Sequence, residues 1–209
     1  MALPDLIEIM PLGSAPLDAN VTMPGSKSIT NRALILAVLA EGTVELNGAL
    51  WSEDTQIMVD ALRALGFKVD VAPDAAEASN RTIRVTGLGG RIPNMGTTEA
   101  PLEIFVGNAG TAARFLGALV CLGDGAVQLH GVERMHERPQ EELFRALRRL
   151  GYRIDSPNNR LPAMFHGSGA REASCTVSLN ESSQFATALL QVAPRGQWYV
   201  DLAGANLDH

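Results

Sequence analysis

The chain writes one segment twice. Ala61-Leu62-Arg63-Ala64-Leu65-Gly66-Phe67-Lys68-Val69-Asp70 returns as Ala146-Leu147-Arg148-Arg149-Leu150-Gly151-Tyr152-Arg153-Ile154-Asp155. In both copies apolar residues at helical spacing run up to a glycine and give way to strand-like alternation. The first copy ends a helix opened by Ser52-Glu53-Asp54-Thr55, with Ile57, Met58, Ala61, Leu62 and Leu65 on one face. The second ends a helix predicted over Glu137–Leu150. Strands are predicted at Phe67–Val71 and Tyr152–Asp155, and Arg81–Thr86 is placed to pair with the former. Upstream of each copy another pattern returns, a helix followed by a strand. It reads Ser28–Ala40 then Val44–Leu46 in one case, and Asn108 through Leu122 then Ala126–His130 in the other. A period of roughly 80 residues with two helices and several strands is a duplicated βαβαββ-like unit. A third unit begins at Cys175-Thr176-Val177, continues as a helix from Glu181-Ser182-Ser183-Gln184 to Val192, and reaches a strand at Trp198–Leu202. The expected class is therefore α/β, about three repeated units with the last incomplete. Ahead of them, Leu6–Met10 predicts a short strand, followed by a Pro/Gly/Ser linker to Pro16.

The first helix of each unit starts with small polar residues: Ser26-Lys27-Ser28, Asn108-Ala109-Gly110-Thr111 and Ser182-Ser183-Gln184. A helix start carries unsatisfied N–H groups and about half a positive charge, so it attracts anions. In Pro24-Gly25-Ser26-Lys27-Ser28-Ile29-Thr30-Asn31-Arg32, Lys27 and Arg32 add two full charges beside such a start. This is not the nucleotide-binding Gly-rich loop, which needs a second Gly directly before its Lys. Three polar helix starts at equivalent places can converge on one anionic ligand.

Composition sets limits on partners. The 209 residues carry a net charge of −6 and contain no Lys/Arg run, which argues against nucleic acid or an anionic membrane as partner. Any anion site is made locally, against the overall sign. Cys121 and Cys175 make neither a metal spacing nor a disulfide framework, and read as buried thiols. Met1–Met10 holds Asp5 and Glu8 and lacks the basic start of a signal peptide. The longest apolar run, Ala33–Ala40, is too short to span a bilayer. A soluble cytoplasmic protein with no metal is expected.

Four stretches, Pro24–Arg32, Gly107-Asn108-Ala109-Gly110-Thr111-Ala112-Ala113-Arg114, Arg134-Met135-His136-Glu137-Arg138-Pro139 and Ser182-Ser183-Gln184-Phe185-Ala186-Thr187-Ala188-Leu189, resemble the 5-enolpyruvylshikimate-3-phosphate synthase family in order and spacing. The resemblance covers about residues 20 to 200. It implies the enolpyruvyl transferase (inside-out α/β) fold, two domains of three βαβαββ units each, with helix N-termini facing a cleft between them. It implies transfer of the enolpyruvyl group of phosphoenolpyruvate to the 5-hydroxyl of shikimate 3-phosphate, with release of phosphate and no cofactor. This sequence resembles the first half. Residues 1–19 would be a strand and linker that pair in the family with the other domain, and residues 20–209 the N-terminal domain, truncated at its C-terminus.

Carried over by motif, the resemblance implies that Lys27 touches phosphoenolpyruvate and is the one proton-transfer group with a family precedent here. Ser28 and Arg32 would contact shikimate 3-phosphate. Gly110, with Asn108 and Thr111 beside it, would line the phosphoenolpyruvate pocket, and Arg134 would hold that substrate. Ser182, Ser183 and Gln184 would contact shikimate 3-phosphate, Gln184 also reaching phosphoenolpyruvate. The residue types suit two polyanions, because Lys and Arg offset their repulsion and a missing Cβ permits close approach. The family's main acid–base carboxylates and a further lysine lie in the half not matched here, so this chain reads as a substrate-binding part rather than a complete catalyst.

Two positions depart from the family. Phe115 stands where many members have Pro, next to the pocket helix, which bears on glyphosate tolerance. His136 replaces a usual Lys or Arg. Arg114 and Arg138 either point into the cleft or brace the fold, Arg138 before Pro139 reading more simply as a structural ion-pair partner. Asp54 is either a substrate neighbour or, more simply, a helix-dipole residue, and Glu137, Glu141 and Glu142 read as the acidic start of a helix. Trp51 and Trp198 read as packing residues, and His130 and His166 as ordinary strand or loop residues. Two alternatives stand beside the leading one. One is a non-catalytic half-protein that binds shikimate 3-phosphate or pairs with a separate C-terminal half. The other is a UDP-N-acetylglucosamine enolpyruvyl transferase relative, which typically needs a reactive cysteine on a loop.

Overall fold

A computed structural model of the chain describes residues 6–11, 13, 16 and 18–204. Helix α1 (Lys27–Leu39) leads to strand β1 (Glu41–Leu50), helix α2 (Glu53–Ala64), β2 (Val69–Pro73) and β3 (Asn80–Leu88). The second unit is β4 (Leu102–Phe105), α3 (Gly110–Leu119), β5 (Asp124–His130), the short α4 (Glu133–Glu137), α5 (Glu141–Arg149), β6 (Arg153–Asp155) and β7 (Ala163–Ser168). The third is β8 (Ala173–Ser178), α6 (Ser183–Gly196) and β9 (Trp198–Ala203). The second unit is a complete βαβαββ, and the described residues of the third form its βαβ.

Each unit has its own sheet. β1, β3 and β2 lie side by side in that order, antiparallel throughout. The second sheet runs β4-β5-β7-β6, with β4 and β5 parallel and the other pairs antiparallel; β8 and β9 pair in parallel. The first helices α1, α3 and α6 pack on one another between the sheets, and every residue of α3 is buried. The sequence explains this inversion. α1 and α3 are apolar around most of their circumference, which suits a helix touched from several sides. α2 and α5 are amphipathic: α5 buries Leu143, Phe144, Ala146 and Leu147 and turns its Glu and Arg residues outward. Helix α6 is tied to α1 by two side chains. Gln191 Nε2 donates to the Arg32 carbonyl at 2.9 Å and Arg195 Nε to the Leu39 carbonyl at 3.0 Å.

The repeat persists in the hydrogen bonds. Gly66 and Gly151 end α2 and α5 at φ 87° and 91°, a left-handed cap that a Cβ disfavours. The next amides fold back alike, Phe67 N–H to the Leu62 carbonyl at 3.0 Å and Tyr152 N–H to the Leu147 carbonyl at 3.1 Å. Arg63 and Arg148 each clamp the first turn of the following strand, with Nη2 donating at 2.8 Å to the Val69 and Ile154 carbonyls. Because Phe67 and Tyr152 belong to the caps, β2 and β6 begin later than the alternation suggested, at Val69 and Arg153.

Four expectations are corrected. Leu6–Met10 forms no strand here: these residues are irregular and exposed, Leu6 by 87% and Ile9 by 85%, with no neighbouring strand among the described residues to complete a ladder. The helix expected over Glu137–Leu150 is two helices, because Pro139 forces Arg138 into extended backbone (φ −72°, ψ 140°). Glu137 therefore ends α4, and only Glu141 and Glu142 stand in a first turn. The helix from Asn108 tightens to a 3₁₀ turn over Val120–Leu122, and α6 continues past Val192 through Pro194 to Gly196. Strands β4 and β7 carried too little local signal to be foreseen. Trp51 and Trp198 do pack: Arg81 sits 5.7 Å from the Trp51 ring, and Trp198 is 6% exposed with Nε1 donating to the Tyr152 hydroxyl. His130 ends β5 against Phe105, and His166 on β7 lies 2.8 Å from Asp155.

Candidate functional site

The start of α1 is fixed against β1 and β3. Gly25 N–H donates to Asn80 Oδ1 at 2.8 Å, and a Cβ on Gly25 would lie 2.2 Å from the Gly48 carbonyl oxygen. Ser26 is the N-cap, its Oγ accepting from Ile29 N–H. Lys27 then stands in the first turn beside the first turn of α2, where its Nζ lies 3.1 Å from Asp54 Oδ2. Helix α6 is capped in the same way, Gln184 N–H donating to Ser182 Oγ at 3.2 Å. Helix α3 differs. Its N-cap is Ala109, and no side chain caps its first N–H groups among the described residues. It therefore presents open donors.

These starts meet around one polar cavity of about 480 Å³, lined by Lys27, Ser28, Glu53, Asp54, Ile57, Asn108, Ala109, Gly110, Thr111, Arg138 and Gln184. Six residues singled out in the sequence are brought together there: Lys27, Ser28, Asn108, Gly110, Thr111 and Gln184. Four are not in its wall. Arg32 lies one turn along α1, its Nη1 donating to the Ser28 carbonyl and its guanidinium 5.5 Å from the Phe115 ring. Ser182 is engaged as the cap, and Ser183 is exposed on the first turn of α6. Arg134 is exposed on α4, without a hydrogen bond or ion pair among the described residues.

Arg138 takes the place in the wall that the sequence reading gave to Arg134. It is not an ion-pair partner: among the described residues no carboxylate pairs with it. Its Nη1 donates to the Asn108 carbonyl at 2.9 Å, and the guanidinium lies flat against Gly110. A Cβ on Gly110 would sit 2.5 Å from Arg138 Cζ. The signal was available in the motif ending Arg138-Pro139, since an extended residue before proline can swing its side chain away from the helix. Asp54 is likewise more than a dipole residue, because it neutralises Lys27 within the cavity.

Behind the wall lies Arg114, 5% exposed. Its Nη1 donates to Gln184 Oε1 at 2.6 Å and its Nη2 to the Pro139 carbonyl at 3.3 Å, and its guanidinium stacks 4.7 Å from the Phe185 ring. No carboxylate pairs with it among the described residues. Burial, with the nearby Arg138 charge, pushes its pKa down to about 10, well below the usual guanidinium range. The unfolded chain thus holds this proton more tightly than the folded one. The resulting cost to stability is full below about pH 10 and is relieved as pH rises from there toward the ordinary guanidinium range. Arg114→Met, which removes the charge and keeps most of the packing, is expected to hold or raise the melting temperature at pH 7, by about 2–6 °C for ~1–2 kcal/mol. Thermal unfolding followed by circular dichroism checks this.

Both departures from the family have a structural place. Phe115 is fully buried within a continuous α3 and carries the Arg32 guanidinium. His136 Nε2 accepts from Gly131 N–H at 3.1 Å, so that nitrogen is unprotonated in this arrangement. Cys121 and Cys175 are buried away from the cavity, and burial pushes both thiols up. Among the described residues no helix is long and apolar enough to cross a membrane.

The sequence profile described as EPSP synthase (3-phosphoshikimate 1-carboxyvinyltransferase) matches residues 12–200. A relative from Opitutus terrae named 3-phosphoshikimate 1-carboxyvinyltransferase is 44% identical over 197 residues, 93% of this chain and 43% of the relative. One of the same name from Yersinia pseudotuberculosis serotype O:3 is 45% identical over 182 residues, 86% of this chain and 40% of the relative. The chain thus spans about two fifths of the length of the curated relatives it matches. A solved EPSP synthase from Acinetobacter baumannii superposes with a TM-score of 0.72 at 22% identity, over 90% of this chain and 42% of that one. The enolpyruvyl transferase NikO from Streptomyces tendae gives 0.60 at 16% identity, over 88% of this chain and 39% of that one. These likenesses show the enolpyruvyl transferase fold that the repeats and motifs led us to expect. With its profile matched across nearly all of the described residues, the chain belongs to the EPSP synthase family.

Proposed function

We propose that this chain is the substrate-binding portion of a transferase that moves the enolpyruvyl group of phosphoenolpyruvate to the 5-hydroxyl of shikimate 3-phosphate and releases phosphate. The observation that carries the reading is the convergence of Lys27, Arg138, Gln184 and the uncapped start of α3 on one polar cavity. Each offers hydrogen-bond donors, and three carry positive charge or a positive dipole end, which suits phosphate and carboxylate groups. Lys27, Ser28, Asn108, Gly110, Thr111 and Gln184 contact the substrates directly. Arg32, Ser182 and Ser183, on the same helix starts, and Arg134, on the surface of α4, would take part only with a substrate that extends beyond the cavity. Lys27 is the candidate proton-transfer group. The setting implied is a soluble, cytoplasmic one, with no cofactor, nucleic acid or membrane partner.

Calorimetric titration of the folded chain with shikimate 3-phosphate and with phosphoenolpyruvate tests the reading. Saturable binding, weakened by Lys27→Met and Arg32→Ala, is expected. A folded chain that binds neither ligand refutes it. Asp54 supplies a further test. The Lys27–Asp54 pair is half exposed on the lysine side, so it holds the ammonium by no more than about 1 kcal/mol. Asp54→Asn frees Lys27 and removes a negative charge from the cavity, and is expected to tighten phosphoenolpyruvate binding about 3–10-fold.

A binding or assembly role without turnover is the second reading, since the cavity wall holds groups suited to binding anions. Turnover by the chain alone excludes it. Turnover restored only on mixing with a C-terminal half supports the pairing form. The nucleotide-sugar alternative has no support in the site, since neither buried cysteine lines the cavity.

A further inference from the structure

We propose that Arg114 is a positioning residue that fixes the orientation of the Gln184 side-chain amide, so that Gln184 meets the ligand only as a hydrogen-bond donor. The two residues are 70 apart in sequence and belong to different units. A guanidinium has five N–H groups and no lone pair, so the amide atom facing Arg114 at 2.6 Å must be the oxygen. That requirement decides the amide's orientation on chemical grounds alone. The Gln184 Nε2 group then points the other way. Gln184 lines the cavity, and no acceptor among the described residues takes either of its protons.

Arg114 is itself held firmly enough to serve as a clamp. It projects from the buried helix α3, lies over the Phe185 ring, and has the Pro139 carbonyl as its other acceptor. Pro139 directly follows Arg138, so one buried cation supports two parts of the cavity wall. Its burial without a carboxylate partner costs stability, which a purely structural brace would not require. The consequence for the site is a further donor. Gln184 Nε2 joins Arg138, Lys27 and the open α3 amides in a wall whose carboxylates are Glu53 and Asp54, the latter already paired with Lys27. Without Arg114 the Gln184 amide can turn over and present its oxygen to a phosphate or carboxylate, which repels it.

The proposal rests on the anion-binding reading of the cavity, and its test separates the two. The first measurement needs no ligand. The Gln184 side-chain amide is identified in a nitrogen–proton correlation spectrum by its absence from Gln184→Ala. In the wild-type chain it is expected away from free-glutamine values. It is expected to move to those values in Arg114→Met and to keep part of its displacement in Arg114→Lys, which retains a charged donor. The second measurement is a double-mutant cycle read by titration with phosphoenolpyruvate. Arg114→Met is expected to weaken binding about 10-fold in the wild-type background and less than about 2-fold in the Gln184→Ala background. A wild-type amide already at free-glutamine values, or one indifferent to Arg114→Met, overturns the clamp. So does an equal loss of affinity in both backgrounds, which marks a merely structural role. A chain that binds no phosphoenolpyruvate refutes the anion-site reading alone, and the amide spectrum then decides the clamp by itself.

Discussion

Gly87→Ala is expected to destabilise the chain by about 3 kcal/mol and lower its melting temperature by about 6–12 °C. Gly87 lies in β3 where the strand crosses the end of α1. A Cβ there would stand 2.2 Å from the Ala37 carbonyl oxygen and 2.4 Å from that of Ala40. Both are backbone atoms of a buried helix end, so no side-chain rotation relieves the clash, and strand and helix must separate. The second unit repeats the arrangement. Gly167 in β7 would place a Cβ 2.5 Å from the Val120 carbonyl oxygen and 2.6 Å from that of Gly123, at the end of the α3 segment. In both sheets the glycine also pairs with a glycine across the ladder, Gly42 with Gly87 and Gly125 with Gly167. Gly167→Ala should therefore cost about as much as Gly87→Ala. Gly13, with nothing within 4 Å of its Cβ position, is the control and should stay within about 0.5 kcal/mol as alanine. Thermal and urea unfolding of the three variants measures this. A loss below about 1 kcal/mol for Gly87→Ala would mean that the helix end stands farther from the sheet than described.

The second large effect falls on binding rather than stability. At Gly110 the atoms that an added Cβ would meet are the tip of a flexible side chain, Arg138 Cζ at 2.5 Å and both its Nη atoms at 2.6 Å. Arg138 can move aside, and alanine suits a helix better than glycine, so Gly110→Ala should change stability by less than about 1 kcal/mol. Moving aside, however, takes the guanidinium from the Asn108 carbonyl and out of the cavity wall. Losing one charged donor from an anion site costs about 1.5–3 kcal/mol, or roughly 10–100-fold in affinity for phosphoenolpyruvate. If Arg138 carries the loss, Arg138→Met should match it, and adding Gly110→Ala to Arg138→Met should do little more. A large loss in Gly110→Ala with none in Arg138→Met would place the clash between the new methyl and the ligand itself.

How much of this was legible beforehand depends on the range of the interactions involved. The ends of α2 and α5 were legible because Gly66 and Gly151 act on their own neighbours, and so was the repeat that carries them. The starts of α1 and α6 were legible because Ser26 and Ser182 bond amides two or three residues away. Strand β4, four residues long, was not legible, because it is held by its parallel ladder with β5 rather than by any preference of Leu102-Glu103-Ile104-Phe105. The reverse held for Leu6–Met10, whose alternation suits a strand that finds no neighbour here.

The candidate site divides in the same way. The polar residue types at three helix starts were legible in the sequence, because open N–H groups and adjacent cations are local properties. Which cation faces inward was settled by the bend at Pro139, which turns Arg138 against Gly110 and leaves Arg134 on the surface. The partner of Lys27 was settled by the packing of α1 beside α2, and that of Gln184 by the packing of α6 beside α3. The sequence by itself determined the repeat, the helix ends and the chemical character of the site, since each depends on residues within about a turn of one another. The tertiary structure alone decided the ion pair, the buried clamp and the glycine contacts, since each depends on how close two distant segments come, and a close approach depends on the packing of the whole core.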